Sequence, residues 1–289
     1  MKRLALLAAV AATTLLGVTT ARAITGNFTP DNVHNYVALV AFYDANGNFY
    51  ERCTGSLLNA NTVLTAGHCT DTSSGISSAI VWVSQEGGAA YDPVTGTDDP
   101  FTGYPDACLN SAAYPCATSH TFVEYGYTAS TKKLKPGTDS SDVGMVILDS
   151  PVQLASYAKL ASVGSDDNLQ RGTPVTLTGY GVSDVKPVLI SLRQRLMASA
   201  SVLNLKNKNA NGFDIKISAN PSKDRGGACF GDSGGPVLYG STDIVLAVNS
   251  YVKNQQCAGQ SFGYRTDQQA VLDWITANAD GPVTISPLP

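Results

Sequence analysis

Between positions 34 and 83 apolar residues arrive in short bursts, each closed by polar or turn-forming residues. Residues 34–43 (His-Asn-Tyr-Val-Ala-Leu-Val-Ala-Phe-Tyr) are dense in β-branched and aromatic side chains and predict a strand. Asn46-Gly47 follows, a pair that accepts the positive φ of a hairpin turn. Residues 49–57 predict the return strand, residues 63–66 lead into His68, and residues 80–83 (Ile-Val-Trp-Val) predict a third clear strand. No helical period runs through this half, so a barrel of short antiparallel strands is expected.

From 85 to 135 the pattern blurs. Pro, Gly and Asp crowd residues 92–105, and the stretch predicts a surface insertion. Its Asp92, Asp98 and Asp99 match no cation-ligand spacing and read as a solvated acidic loop. The apolar rhythm resumes at residues 143–148, then crosses a polar connection at 163–171. Residues 176–181, 192–205, 213–217 and 244–248 predict further strands, the last an unbroken apolar run suited to burial on both sides. Residues 267–279 place Ala270, Val271, Trp274 and Ile275 at helical spacing, with Asp267 near the N-cap. Residues 280–289 read as a loose tail.

The first 23 residues stand apart. A basic head (Lys2, Arg3), an apolar stretch over 4–18 and a small-x-small ending (Ala21-Arg22-Ala23) have the form of a secretory signal peptide, too short to span a bilayer. Removing it takes away three cations and shifts the net charge from −4 to −7. Such a balance disfavours nucleic acid and anionic membranes as partners, so an exported protein, monomeric and off the membrane, is expected. Six cysteines in an exported chain imply disulfides, and with no Cys-x-x-Cys pair neither a metal nor any other cofactor is expected.

Three short motifs carry the candidate chemistry. Gly231-Asp232-Ser233-Gly234-Gly235-Pro236 sets a serine among glycines, whose backbone can come close to a substrate and point bare N–H groups at a developing negative charge. A serine hydroxyl is a weak nucleophile without an adjacent base. Thr65-Ala66-Gly67-His68-Cys69 offers a histidine, whose unperturbed pKa of about 6.5 suits that task. Ser141-Asp142 opens the apolar run at 143 and offers a carboxylate to orient the imidazole, with Asp139 and Asp149 as competitors. His34 and His120 lack such context and receive no role.

The order His, Asp, Ser, with these flanks, resembles the chymotrypsin/trypsin-like serine peptidases, over about residues 24–278. The resemblance implies an all-β fold: two six-stranded antiparallel Greek-key β-barrels with a C-terminal helix. The first barrel would occupy residues 24–160 and the second 161–289, its strands beginning near Thr173. It implies a secreted serine endopeptidase acting on protein or peptide substrates, with His68, Asp142 and Ser233 as the catalytic triad. The amides of Gly231 and Ser233 would form the oxyanion hole. Ile24-Thr25-Gly26-Asn27 stands where the family begins its mature chain, so a freed Ile24 ammonium is expected to pair with Asp232. Gly227 falls at the pocket floor, which departs from the aspartate of trypsin-like cleavage, with Asp224 nearby. Ala228, Phe230, Asn249, Ser250, Tyr251 and Val252 would complete the substrate-binding wall, with Phe262 or Ser261 opposite Val252. These residues imply a small or medium uncharged residue before the scissile bond. The family pairs Cys53 with Cys69 and Cys229 with Cys257, which leaves Cys108 for Cys116. Thr25, Asn27, Tyr180 and Tyr251 depart from the family pattern, and the alternative they raise is a binding protein on the same fold with an inactive or distorted cleft.

Overall fold

The structure is a computed structural model that describes residues 24–87, 108, 115–127, 138–183, 194–206, 210–219 and 225–289. The leader, Asp92, Asp98, Asp99, Asp224 and most of the 85–135 insertion lie outside these residues. After two short pieces, β1 (Thr25–Gly26), which pairs with β14 (Gly226–Gly227), and β2 (Thr29–Pro30), the chain builds the first sheet. Its strands are β3 (Val37–Asp44), β4 (Phe49–Leu57), β5 (Thr62–Thr65), β6 (Ile76–Trp82), β7 (Cys116–Ser119), β8 (Thr121–Glu124) and β9 (Gly144–Ile147). They pair in the order β7-β6-β3-β4-β5-β9-β8. The two end strands, β7 and β8, are separated in sequence by His120 alone, so one interrupted strand joins both edges and the sheet curls into a barrel. Seven of the eight residues of β3 are buried with no inside–outside alternation, because both of its faces are covered.

The second sheet is built from β10 (Lys159–Ala161), β11 (Pro174–Gly179), β12 (Leu196–Asn204), β13 (Asp214–Ala219), β15 (Pro236–Tyr239), β16 (Ile244–Val252) and β17 (Gly259–Arg265). The path β15-β11-β12-β13-β17-β16 returns on itself through a β15–β16 pairing, which closes six antiparallel strands. β2 adds at one margin. At the other, β10 and β18 (Ile285–Ser286) add with parallel pairings. The expected architecture is thus the observed one.

Two readings of detail are corrected. The 280–289 tail is not loose: β18 pairs with β10, the Leu160 N–H donates to Thr284 O at 2.8 Å, and Asp280 N–H donates to Thr62 Oγ1 at 2.9 Å. The helix α1 runs Gln269–Asn278 with Gln268 at its N-cap, and Asp267 does not cap it. The Asp267 carboxylate is buried and accepts from Arg265 Nε and Nη2, both at 2.9 Å, and from Asp166 N–H at 2.8 Å. Val271, Leu272 and Ile275 of α1 pack into the larger core with the first barrel, and Trp274 meets Tyr125 edge-on at 5.5 Å.

The barrels are tied by a buried polar knot. Arg195, 1% exposed, donates to Asp31 O, Val37 O and Val83 O, each at 3.1 Å, and to Asn35 Oδ1 at 3.0 Å. The Tyr180 hydroxyl donates to Ser84 O at 2.5 Å, so the end of β11 is moored to the first barrel. Among the described residues no helix is long and apolar enough to cross a membrane.

Candidate active site

His68 sits in a short 3-10 turn (Gly67–Cys69) directly after β5. Gly67 has to be glycine, since a Cβ there would lie 2.7 Å from Tyr127 Cβ and 3.1 Å from the Val143 backbone. That close approach presses the turn onto the start of the 143–148 strand, where Asp142 stands. Asp142 is 3% exposed. Its Oδ1 accepts the His68 backbone N–H at 2.8 Å, and both carboxylate oxygens lie 3.0 Å from His68 Nδ1. A carboxylate can only accept, so Nδ1 carries the proton and Nε2 is left as the basic nitrogen. Ser250 Oγ donates to Asp142 Oδ2 in addition. Burial pushes the Asp142 carboxyl up, but the charge and hydrogen bonds of His68, with the Ser250 hydroxyl, outweigh it and hold the group below its ordinary value.

The competing aspartates have other partners. Asp139 accepts the Tyr264 hydroxyl at 2.7 Å. Asp149 accepts Thr118 Oγ1 at 2.9 Å and meets His120 Nδ1 at 2.8 Å on the surface. His34 is buried against Asp31 at 2.9 Å.

Ser233 is held by its backbone. Its carbonyl accepts Thr54 N–H at 2.8 Å, Gly234 N–H donates to Asn249 O at 2.7 Å, and Thr54 Oγ1 donates to Gly231 O at 2.8 Å. Gly231 and Gly234 both have positive φ, and a Cβ on Gly234 would collide with Thr54 O at 2.5 Å. Among the described residues the N–H groups of Gly231 and Ser233 make no backbone hydrogen bond outside the strands. His68 and Ser233 border one cavity of about 400 Å³.

Asp232 is fully buried beside this loop, its carboxylate accepting Gly181 N–H and Cys229 N–H, each at 2.8 Å. Burial pushes its pKa up to about 7 against the lowering effect of those amides and of Arg52. Ile24 is buried in the second core with Ala228, and the next residue, Thr25, pairs with Gly227. In the full chain the Ile24 nitrogen is a peptide nitrogen, so the expected ammonium does not exist before cleavage.

A second cavity, of about 200 Å³, also has Ser233 in its lining. Ala228, Phe230, Asn249, Ser250, Tyr251 and Val252 all border it. Gly227 does not; its backbone is taken up by Thr25. Phe262 also borders the cavity, stacked on Tyr251 with ring centroids 4.5 Å apart, whereas Ser261 is the residue in register with Val252. Sequence reasoning left Phe262 open and missed Ser250 as a donor to Asp142. The only available signal was strand register, and a bulge between Asn249 and Tyr251 shifts that. Disulfides join Cys53 to Cys69, Cys108 to Cys116 and Cys229 to Cys257.

A family model described as Trypsin matches residues 24–95 and 112–275. Chymotrypsin-2 of Vespa crabro is 27% identical over 139 residues, 48% of this chain, and the match spans 62% of that protein, under two thirds of its length. Human chymotrypsin-like elastase family member 3B is 26% identical over 241 residues, covering 81% of this chain and 80% of that one. Among solved structures, HL collagenase superposes with a TM-score of 0.61 at 19% identity, covering 88% of this chain and 97% of that one. Human heparin binding protein does so with a TM-score of 0.61 at 18% identity, covering 92% and 99%. At those identities the two structures speak for the fold alone.

Proposed function

We propose that the chain, which belongs to the trypsin family of chymotrypsin-like serine peptidases, is a secreted, monomeric serine endopeptidase that works through Ser233, His68 and Asp142 without a cofactor. The observation that carries the reading is the pair of 3.0 Å contacts from His68 Nδ1 to the Asp142 carboxylate, with Ser233 in the cavity His68 borders. His68 Nε2 takes the Ser233 hydroxyl proton as the oxygen attacks the substrate carbonyl carbon. The Gly231 and Ser233 N–H groups donate to the oxygen that becomes negative. His68 then gives the proton to the departing amine, leaving an acyl ester on Ser233. Water, deprotonated by the same imidazole, releases the acid. Asp142, ionised because its carboxyl lies below the ordinary range, stabilises the imidazolium in both steps.

Substrate selection follows from the smaller cavity. Its volume of about 200 Å³ and its uncharged lining, Ala228, Val252 and Phe262 among it, suit a small or medium uncharged residue before the scissile bond. Removal of residues 1–23 would free the Ile24 ammonium. The register Thr25↔Gly227 puts Ile24, just before β1, beside Ala228, four residues before Asp232. Asp232 is fully buried, and its carboxyl stays raised despite the lowering effect of Arg52, a position that a new ammonium would relieve.

A fluorophosphonate probe and a peptide-library digest test the reading together. Wild-type protein labels and cleaves after small apolar residues, and Ser233→Ala does neither. Undiminished proteolysis by Ser233→Ala, or no labelling of the mature wild type, refutes the assignment, and the second outcome favours a binding protein on this fold.

A further inference from the structure

Ser233 and Phe230 are the two residues that the two cavities share. On the peptidase reading, His68 must protonate the amine that departs, so the space His68 borders takes the half of the substrate that follows the scissile bond. His68 borders the 400 Å³ cavity and not the smaller one. Phe49, Tyr50, Glu51, Arg52 and Cys53, all from β4, also line it.

The chemistry of that lining is uneven. Five large apolar side chains are markedly exposed among the described residues, and two of them, Tyr50 at 45% and Phe230 at 42%, border this one cavity. Phe49 adds a third ring, held edge-on to Tyr43 at 6.1 Å. Arg52 also lines the space, but it is only 7% exposed, and a Cβ on Gly231 would lie 2.7 Å from its Nε. Its guanidinium therefore faces the Gly231–Asp232 loop, away from the open mouth, where it offsets the buried Asp232 charge. Glu51, half-buried, adds one carboxylate to the lining, but the most exposed surface there is that of Tyr50 and Phe230, aromatic surface that water solvates poorly and that a substrate ring would cover.

We infer that the chain selects a large apolar, preferably aromatic, side chain within the two residues that follow the scissile bond, held between Tyr50 and Phe230. The inference rests on the peptidase reading and names a substrate class for it: a small residue on one side of the bond and an aromatic one on the other.

The test uses the mature protein and four peptides with one acyl half, Ala-Ala-Ala, carrying Phe, Ala, Asp or Lys in the two positions after the bond. The kcat/KM for Phe is expected about tenfold above that for Ala, with Asp and Lys no better than Ala. In Tyr50→Ala the Phe/Ala ratio falls towards one, and in Tyr50→Phe, which keeps the ring, it is retained. Equal rates for Phe and Ala, a preference for Asp or Lys, or a ratio that survives Tyr50→Ala overturns the inference. The matching acyl methyl ester has a leaving group too small to reach this cavity. Ester cleavage without any Phe preference overturns the selection alone, whereas failure on ester and peptides alike overturns the peptidase reading and the selection with it.

Discussion

Consider the chain with a short extension before Ile24, compared with the chain that begins at Ile24. In the extended form the fully buried Asp232 carboxyl accepts the Gly181 and Cys229 amides, with Arg52 also lowering it, yet burial holds its pKa at about 7 against an ordinary 3.8. The folded state therefore binds that proton more tightly than the unfolded state. The favourable side of this linkage is complete below about pH 4. Stability is lost as pH climbs from there to about 7, and the loss is constant above. At about 1.4 kcal/mol for each pH unit the total is about 4 kcal/mol. In the form beginning at Ile24 an ammonium at the carboxylate removes that loss. Urea unfolding across about pH 4 to pH 8 measures it, each form alongside its Asp232→Asn variant so that other titrations cancel. For the extended form, wild type minus variant should fall by up to about 4 kcal/mol across the window. For the form beginning at Ile24 the difference should hold level or rise, until the amine, ordinarily near 7.7–8 and raised by pairing, loses its proton at higher pH. Two forms with the same profile would refute the ammonium–carboxylate pair. A flat profile in the extended form would refute the buried, raised carboxyl.

Ser250→Ala deletes one donor to the buried Asp142 carboxylate, a charged hydrogen bond of about 1.5–3 kcal/mol, so kcat/KM should fall by about tenfold to a hundredfold and the acid limb of the pH profile should move up as the carboxyl loses a stabilising partner. Phe262→Ala empties the wall of the smaller cavity: cleavage should extend to larger residues before the bond, and the lost packing of a fully buried ring should cost about 3–5 kcal/mol in urea unfolding. Asp166 is fully buried, its Oδ2 lying 3.6 Å from Arg265 Nε. Burial and the neighbouring Asp267 raise its pKa well above 3.8. Asp166→Asn should therefore stabilise the protein more near pH 7 than near pH 4, because at the higher pH the wild-type carboxyl, ionised in the unfolded chain, must take up a proton on folding and the amide need not; equal effects at both values would contradict this.

Most of the scaffold was legible in the chain. Apolar bursts of four to nine residues with β-branched and aromatic content mark strands wherever they occur, because a half-buried pleat selects those side chains locally. β3, β4, β5, β11 and β16 sit where that pattern puts them. The three motifs were legible for a related reason. Gly67, Gly231 and Gly234 hold positions that no other residue can occupy without collision or strain, and their spacing to His68 and Ser233 is fixed by the covalent chain.

The exceptions share one cause. Asp267 looks like a helix cap by its neighbours, yet Arg265 and the Asp166 amide capture it. Residues 280–289 carry a weak strand signal of their own and become ordered only because β10 offers them an open edge. Ser250 reads as a wall residue until the fold brings it to Asp142, 108 positions away. Phe262 enters the smaller cavity through a bulge whose position no local pattern reveals. Local propensity and backbone sterics act over a few residues, so the sequence alone could set the strands, the glycine loops and the candidate triad. The partner of a buried charge or the side chain at a cavity wall depends on which distant segments meet, and only the assembled barrels decide that.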